Sequence, residues 1–268
     1  MTMNRRELLS LGVLALVPQI RLSAQPAPQS LIDDLVAGNH ILANEQVLDG
    51  YGHISVRHPD DPKKFLMSRS RSPELVKLSD IVTFNLDCTP IDDMGRPLYS
   101  ERPIHGAIYQ ARPEVNAVVH NHSYVVTTFS VTEIPLRPIA HAAGGIGHRI
   151  PVWDIRDKFG DKTHLMVRKM EEGRDLAAKL GNNEAVLMRG HGCAVAGLNV
   201  KHAVILAFYL QLNARLLMNT LTLAGGQQQD IQYLWPGEVE TRLHDERNPK
   251  FRDRAWEYWM RRAGCDDL

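Results

Sequence analysis

The sequence predicts an α/β fold built on a mainly antiparallel or mixed sheet. Short β-branched and apolar runs, bounded by Gly, Pro, Asn or Asp, alternate irregularly with longer amphipathic stretches of helical length. One such run, Asn116–Val119, leads straight into His120-Asn121-His122. The composition agrees. A chain of 268 residues can bury a substantial core as one large domain or two small ones. Its 44% hydrophobic and 23% charged residues exclude disorder and a coiled coil, and its zero net charge leaves no nucleic-acid footprint. Cys88, Cys193 and Cys265 are far apart and odd in number, so they define neither a disulfide framework nor a CxxC metal site.

At the N-terminus, Asn4-Arg5-Arg6-Glu7-Leu8-Leu9 precedes an apolar run from Leu11 to Val17, then Leu22-Ser23-Ala24. A basic pair, a short apolar core and small residues before Gln25 are the layout of a twin-arginine-type signal over residues 1–24. The apolar segment is too short to span a bilayer comfortably. The mature protein, residues 25–268, is therefore expected in the periplasm with no stable membrane insertion, the cytoplasm being the alternative. Within it, residues 31–225 form the core and 226–268 a C-terminal helical tail.

Ser30-Leu31-Ile32-Asp33 resembles a capping box opening a helix to about Leu48. Gly50-Tyr51-Gly52 breaks that helix, and His53–Arg57 alternates as a strand does. Phe65–Met67 and Ile81–Leu86 are further strands. Ser100 is placed to cap a helix from Glu101 to about Arg112, with Pro103 tolerated in its first turn. A short helix from Ser123 to Ser130 follows the histidine run. Gly144-Gly145-Ile146-Gly147 lacks the strand-then-helix setting of a dinucleotide site and signals backbone freedom only. Glu171–Leu180 is helical, Ala185–Met188 is a buried strand, and Asn199 caps a long apolar helix reaching about Ala224. That helix is apolar nearly all round, as if buried on several sides. Pro249–Arg262 is an aromatic, basic helix.

Side chains at i and i+2 of a strand share a face, roughly 7 Å apart. His120 and His122 could thus converge on one divalent ion, and spacing alone leaves them equally open to a hydrogen-bonded structural role. His191 also lies just past a buried strand, with a glycine on each side, and offers a third ligand. Three histidines leave a coordination position for substrate. Glu101, at a helix start, would stay ionised there as a fourth ligand or a base.

The ordered set Gly52-His53-Ile54-Ser55, Ser100-Glu101, Ile104-His105-Gly106-Ala107-Ile108-Tyr109, His120-Asn121-His122 and Arg189-Gly190-His191-Gly192 resembles the class II aldolase/adducin family. The resemblance covers roughly residues 31–225. It implies a three-layer α/β/α domain, often a homotetramer with sites between subunits. It also implies one divalent metal on His120, His122 and His191, with Glu101 as catalytic acid/base and occasional ligand. Zn2+ or Mn2+ is expected, with Fe2+ as the alternative. Sugar-phosphate aldolases of the family carry Asn where this chain has His53, and small loops where it has Ser68-Arg69-Ser70-Arg71. Arginine forks suit planar carboxylates. With Leu136-Arg137-Pro138 and His141, that loop is similar to the family's decarboxylase branch, which acts on hydroxylated aromatic, heteroaromatic or ring-cleavage carboxylates.

The resemblance therefore implies a carbon–carbon lyase working through a metal-stabilised enolate on a small-molecule carboxylate. The substrate-binding set it implies is His53, Ser68, Arg69, Ser70, Arg71, Ser100 and His141, the last supplied by the same or a neighbouring subunit. Retro-aldol cleavage of a hydroxy-carbonyl or sugar phosphate, iron oxygenase chemistry, and a non-catalytic adducin-like module are the alternatives. The last is expected to lack the metal ligands, all of which are filled here.

Overall fold

A computed structural model describes residues 27–246, 249–265 and 268. The signal-type segment expected over residues 1–24 lies outside them. Seven strands are present among the described residues: β1 (His53–Arg57), β2 (Lys64–Ser68), β3 (Ile81–Asn85), β4 (Ala117–Asn121), β5 (Val152–Trp153), β6 (Ala185–Met188) and β7 (Gly192–Gly197). They form one sheet in the order β3-β2-β1-β4-β7-β6-β5. Every adjacent pair is antiparallel except β5–β6. The helices are α1 (Gln29–Asn44), α2 (Arg102–Ala111), α3 (Tyr124–Phe129), α4 (Arg156–Phe159), α5 (Met170–Leu180), α6 (Val200–Leu223), α7 (Pro236–Glu246) and α8 (Pro249–Arg262).

The two-residue repeat of the strands sorts their side chains into two cores. Ala117 and Val119 of β4, with Cys193 and Val195 of β7, pack under α1, α6 and α8. Val118, Ala194 and Ala196 point the other way, into a core shared with Ile104 and Ile108 of α2 and Leu176 and Leu180 of α5. Three layers result. Ile104, Ala107 and Ile108 recur at helical spacing, so α2 turns one continuous apolar stripe to the sheet. Each fully buried isoleucine contributes about 1.5–3 kcal/mol. Helix α6 is long and apolar enough to cross a membrane by length and composition. It instead packs on the sheet, with Val204, Leu206, Leu210 and Leu217 buried.

Several expectations need correction. Helix α1 starts at Gln29 after Pro28 and makes no side-chain cap, so Ser30 lies inside the first turn instead of capping it. It ends at Asn44, because Gln46 takes a positive φ of 58° and the Val47 and Leu48 N–H groups both turn back to the Leu42 carbonyl. Ser100 does not cap α2; Glu101 itself occupies the cap position, with no side-chain cap bond. Asn199 does cap α6, accepting from the His202 N–H at 2.9 Å. Strand β7 was not foreseen. Gly192-Cys193-Ala194-Val195-Ala196-Gly197 has little intrinsic strand preference and is held extended by neighbours on both edges.

Small residues in β7 permit close approach. A Cβ at Gly192 would stand 2.0 Å from the Asn121 carbonyl oxygen, beside the histidine strand. The expected result of Gly192→Ala is a loss of roughly 1–3 kcal/mol or more, because rigid backbone must move to make room. Urea unfolding checks this, and an unchanged midpoint would contradict the close approach.

Candidate active site

Two strand connections assemble the site. In the β1–β4 register His53 lies directly opposite His120, and in the β4–β7 register Asn121 lies opposite Cys193. Arg189, Gly190 and His191 form the tight turn between β6 and β7, closed by a hydrogen bond from the His191 N–H to the Met188 carbonyl at 3.0 Å. Gly190 takes a φ of 66° there, a conformation open mainly to glycine. The turn sets His191 beside His122, and Glu101 reaches the same point from the start of α2.

The ligand atoms of Glu101, His120, His122 and His191 all lie within 4.8 Å of one another. His122 Nε2 is 3.1 Å from His120 Nε2 and 3.1 Å from His191 Nε2. Glu101 Oε2 is 3.4 Å from His120 Nε2 and 3.5 Å from His191 Nε2. The opposite edges of two rings decide where their protons sit. His120 Nδ1 faces the Cys193 carbonyl at 3.0 Å, and His122 Nδ1 faces both oxygens of Asp49 at 3.2 Å. Both partners only accept, so both Nδ1 atoms carry the hydrogen and the two Nε2 atoms present lone pairs to each other.

Two facing lone pairs cannot form a hydrogen bond. A cation resolves the conflict. Nitrogens about 2.05 Å from one ion stand about 2.9 Å apart at octahedral angles and about 3.3 Å at tetrahedral angles, which brackets the spacing observed here. The residues therefore fit a divalent metal.

Electrostatics supports the arrangement. Burial raises the Glu101 carboxyl's pKa, but the adjoining His120 and His191 imidazoles outweigh it and hold it well below the usual range. Glu101 Oε1 accepts from the Val167 N–H at 3.0 Å, which leaves Oε2 to face the histidines. Burial, then His120, pushes the His122 imidazole down to about 4, so it is a neutral ligand near neutral pH.

A cavity of about 470 Å³ opens on this cluster, lined in part by Tyr51, His53, Ser70, Tyr99, Ser100, His164, Leu165 and Met166. Of the expected substrate-binding set, His53, Ser70 and Ser100 stand on its wall. Arg69 and Arg71 do not. Arg69 Nε lies 2.6 Å from Asp80 Oδ1 and Arg71 Nη1 lies 3.0 Å from Asp80 Oδ2. Asp80 is a buried carboxylate that needs both partners, and it claims the forks assigned to substrate. Ser68 is buried and donates to the Tyr99 hydroxyl at 3.3 Å. His141 is exposed at the head of a 3-10 turn and does not line the cavity.

His164, which no sequence motif singles out, is on the cavity wall. Asp49 was missed altogether. It also accepts from the N–H groups of Tyr51 and Gly52 at 2.9 and 3.0 Å, so in the sequence it passes for an ordinary turn residue. A larger cavity of about 900 Å³, bounded by residues such as Leu136, Arg149 and Pro151, contains no member of the metal cluster.

Replacing His120, His122 or His191 by Ala is expected to remove most bound metal, read by mass spectrometry on washed protein. Asp49→Asn should weaken metal affinity about 10–100-fold while leaving the site assembled. Stoichiometric metal in every histidine variant would refute the assignment. A pH effect follows from His105, which burial, then His120, pushes down to about 3. Its unfolded value is about 6.5, so between these limits the unfolded chain binds a proton that the folded chain refuses. Stability should be full above about pH 6.5 and fall by about 1.4 kcal/mol per unit as pH drops toward 3. Urea titration of metal-free protein should show this slope and a shallower one in His105→Gln.

The family model described as Class II Aldolase and Adducin N-terminal domain matches residues 33–218. The decarboxylase tropJ of Talaromyces stipitatus is 35% identical over 87% of this chain and 94% of its own length. A 3,4-dihydroxyphthalate decarboxylase of Arthrobacter keyseri is 30% identical over 71% of this chain and 78% of its own. An L-fuculose phosphate aldolase of Escherichia coli O157:H7 is 32% identical over 64% and 74%. Among solved structures, an aldolase II superfamily protein from Pseudomonas syringae superposes with a TM-score of 0.73, at 21% identity, over 89% of this chain and 94% of its own. With the family model spanning most of the chain, and both decarboxylases and an aldolase among its relatives, this protein belongs to the class II aldolase/adducin family and is a lyase.

Proposed function

We propose that the chain is a metal-dependent decarboxylase of a hydroxylated aromatic, heteroaromatic or ring-cleavage carboxylate. The observation that carries this reading is the convergence of Glu101, His120, His122 and His191 on one point beside an open cavity. Three imidazoles and a carboxylate suit Zn2+ or Mn2+, with Fe2+ as the alternative. Tyr51, Tyr99, Leu165 and Met166 provide flat and apolar wall for a ring. Relatives named for decarboxylation, one of them on a dihydroxyphthalate, support the same class. With Arg69 and Arg71 turned to Asp80, the substrate carboxylate is left to His53, Ser70, Ser100 and His164.

A divalent ion, when bound, supplies Lewis acidity that draws off the negative charge developing on the substrate. The protein manages the proton. Glu101 is ionised, and its Oε2 takes the proton of the substrate hydroxyl while the Val167 N–H steadies Oε1. The bond to the carboxyl carbon then breaks, CO2 leaves, and the electron pair stays on the substrate carbon. That carbon recovers the proton from Glu101, which returns to its starting state.

The same reading makes the enzyme a homotetramer, with His141 facing a neighbouring subunit's cavity. It also places the mature protein in the periplasm, exported by way of Arg5 and Arg6.

A panel of hydroxy-carboxylates and sugar phosphates, assayed with added Zn2+, Mn2+ or Fe2+ for CO2 and aldehyde release, tests the function. CO2 release is expected, and Glu101→Gln should lower kcat about 10²–10⁴-fold. Efficient sugar-phosphate cleavage with no CO2 from any carboxylate would establish the aldolase reading instead. Replacing Arg5 and Arg6 together with lysine should leave precursor in the cytoplasm. Unprocessed wild-type protein found only there would refute export.

A further inference from the structure

Behind the cavity wall lies a buried polar chain that the reaction scheme does not use. His53 and Ser55 are two apart on β1 and share its α2-facing side; His105 and Tyr109 are four apart on α2 and share a helix face. The four interleave. His53 Nδ1 is 2.7 Å from His105 Nε2, His105 Nδ1 is 2.6 Å from Ser55 Oγ, and Ser55 Oγ is 2.8 Å from the Tyr109 hydroxyl. None of the four residues is more than 1% exposed.

Proton accounting gives the chain one direction. The Tyr109 hydroxyl meets the Val118 backbone N–H, which only donates, and Ser55 Oγ, which is its one recorded acceptor among the described residues, so its proton must go to Ser55. Ser55 then donates to His105 Nδ1. That leaves the His105 hydrogen on Nε2, donated to His53 Nδ1. The hydrogen of a neutral His53 must therefore sit on Nε2, the ring nitrogen not engaged by His105. The reverse direction would leave the phenol proton buried without an acceptor. The His53 ring lies on the cavity wall, 5.1 Å from the His120 ring and 4.4 Å from the Tyr99 ring by centroid.

We propose that Tyr109, Ser55 and His105 are positioning residues that lock His53 in the Nε2–H tautomer, so that it presents a neutral N–H donor to a substrate oxygen beside the metal cluster. A fixed donor at that place steadies charge as it develops and needs no reorganisation during the reaction. The role of His53 toward an oxygen of the substrate rests on the decarboxylase reading; the tautomer does not.

The experiment is nitrogen NMR on the zinc-loaded full chain with labelled histidine, the His53 signals being assigned by their loss in His53→Gln. Protonated Nε2 and unprotonated Nδ1 are expected at both His53 and His105. A protonated Nδ1 at His53 would overturn the proposal, and the wild-type measurement decides this even if a variant fails to fold. In Ser55→Ala and Tyr109→Phe the direction is no longer imposed, so the His53 Nε2–H signal should weaken. If it is unchanged in both, the chain does not set the tautomer. With metal content equal to wild type, Tyr109→Phe should lower kcat/KM for the carboxylate about 2- to 10-fold. If the wild type turns over no carboxylate, the functional reading fails and the NMR result still judges the chain.

Discussion

Three imidazole nitrogens crowd one point near a carboxylate, and two of them have their protons committed to the far side of the ring. That mutual repulsion is the constraint on which the rest of the site depends. The Cys193 carbonyl and the Asp49 carboxylate keep His120 and His122 from turning their N–H groups inward. Left alone, the lone pairs would push the rings apart. A divalent cation turns the same geometry into coordination. The backbone of β7 and the turn at Asp49 thus shape the candidate metal site although neither supplies one of its four converging side chains.

The sheet pays for this arrangement with small residues. Strand β7 must run close to β4 for the Cys193 carbonyl to meet His120 and for the β6–β7 turn to deliver His191. Gly192 meets the Asn121 carbonyl where any Cβ would collide, and Gly197 does the same against Ala203 of α6. A strand rich in Gly and Ala has little stability of its own. It is supported by β4 and β6 along its edges and by packed helices on both faces.

Charge is divided between two neighbouring regions. In one, Asp80 satisfies Arg69 and Arg71 beside the cavity and removes two cations from it. In the other, buried neutral histidines, His53 and His105, take the place of charged groups. The cavity wall therefore carries neutral hydrogen-bonding side chains in place of guanidinium forks.

The sequence by itself determined the α/β class, most strands and helices, and the identities of Glu101, His120, His122 and His191. These were legible because strand alternation, helix periodicity and ligand-type side chains at strand ends are local properties. Strand β7 was not, since nothing in a small-residue segment distinguishes strand from loop until neighbours pair with it. The partners of Arg69 and Arg71 were equally hidden. An arginine fork binds any carboxylate within reach, and only the fold brings Asp80 nearer than the cavity. Asp49 and His122 are 73 residues apart, as are His120 and Cys193. Tertiary structure alone decided those contacts, because a hydrogen bond that sets a tautomer depends on distance in space and leaves no periodic trace along the chain.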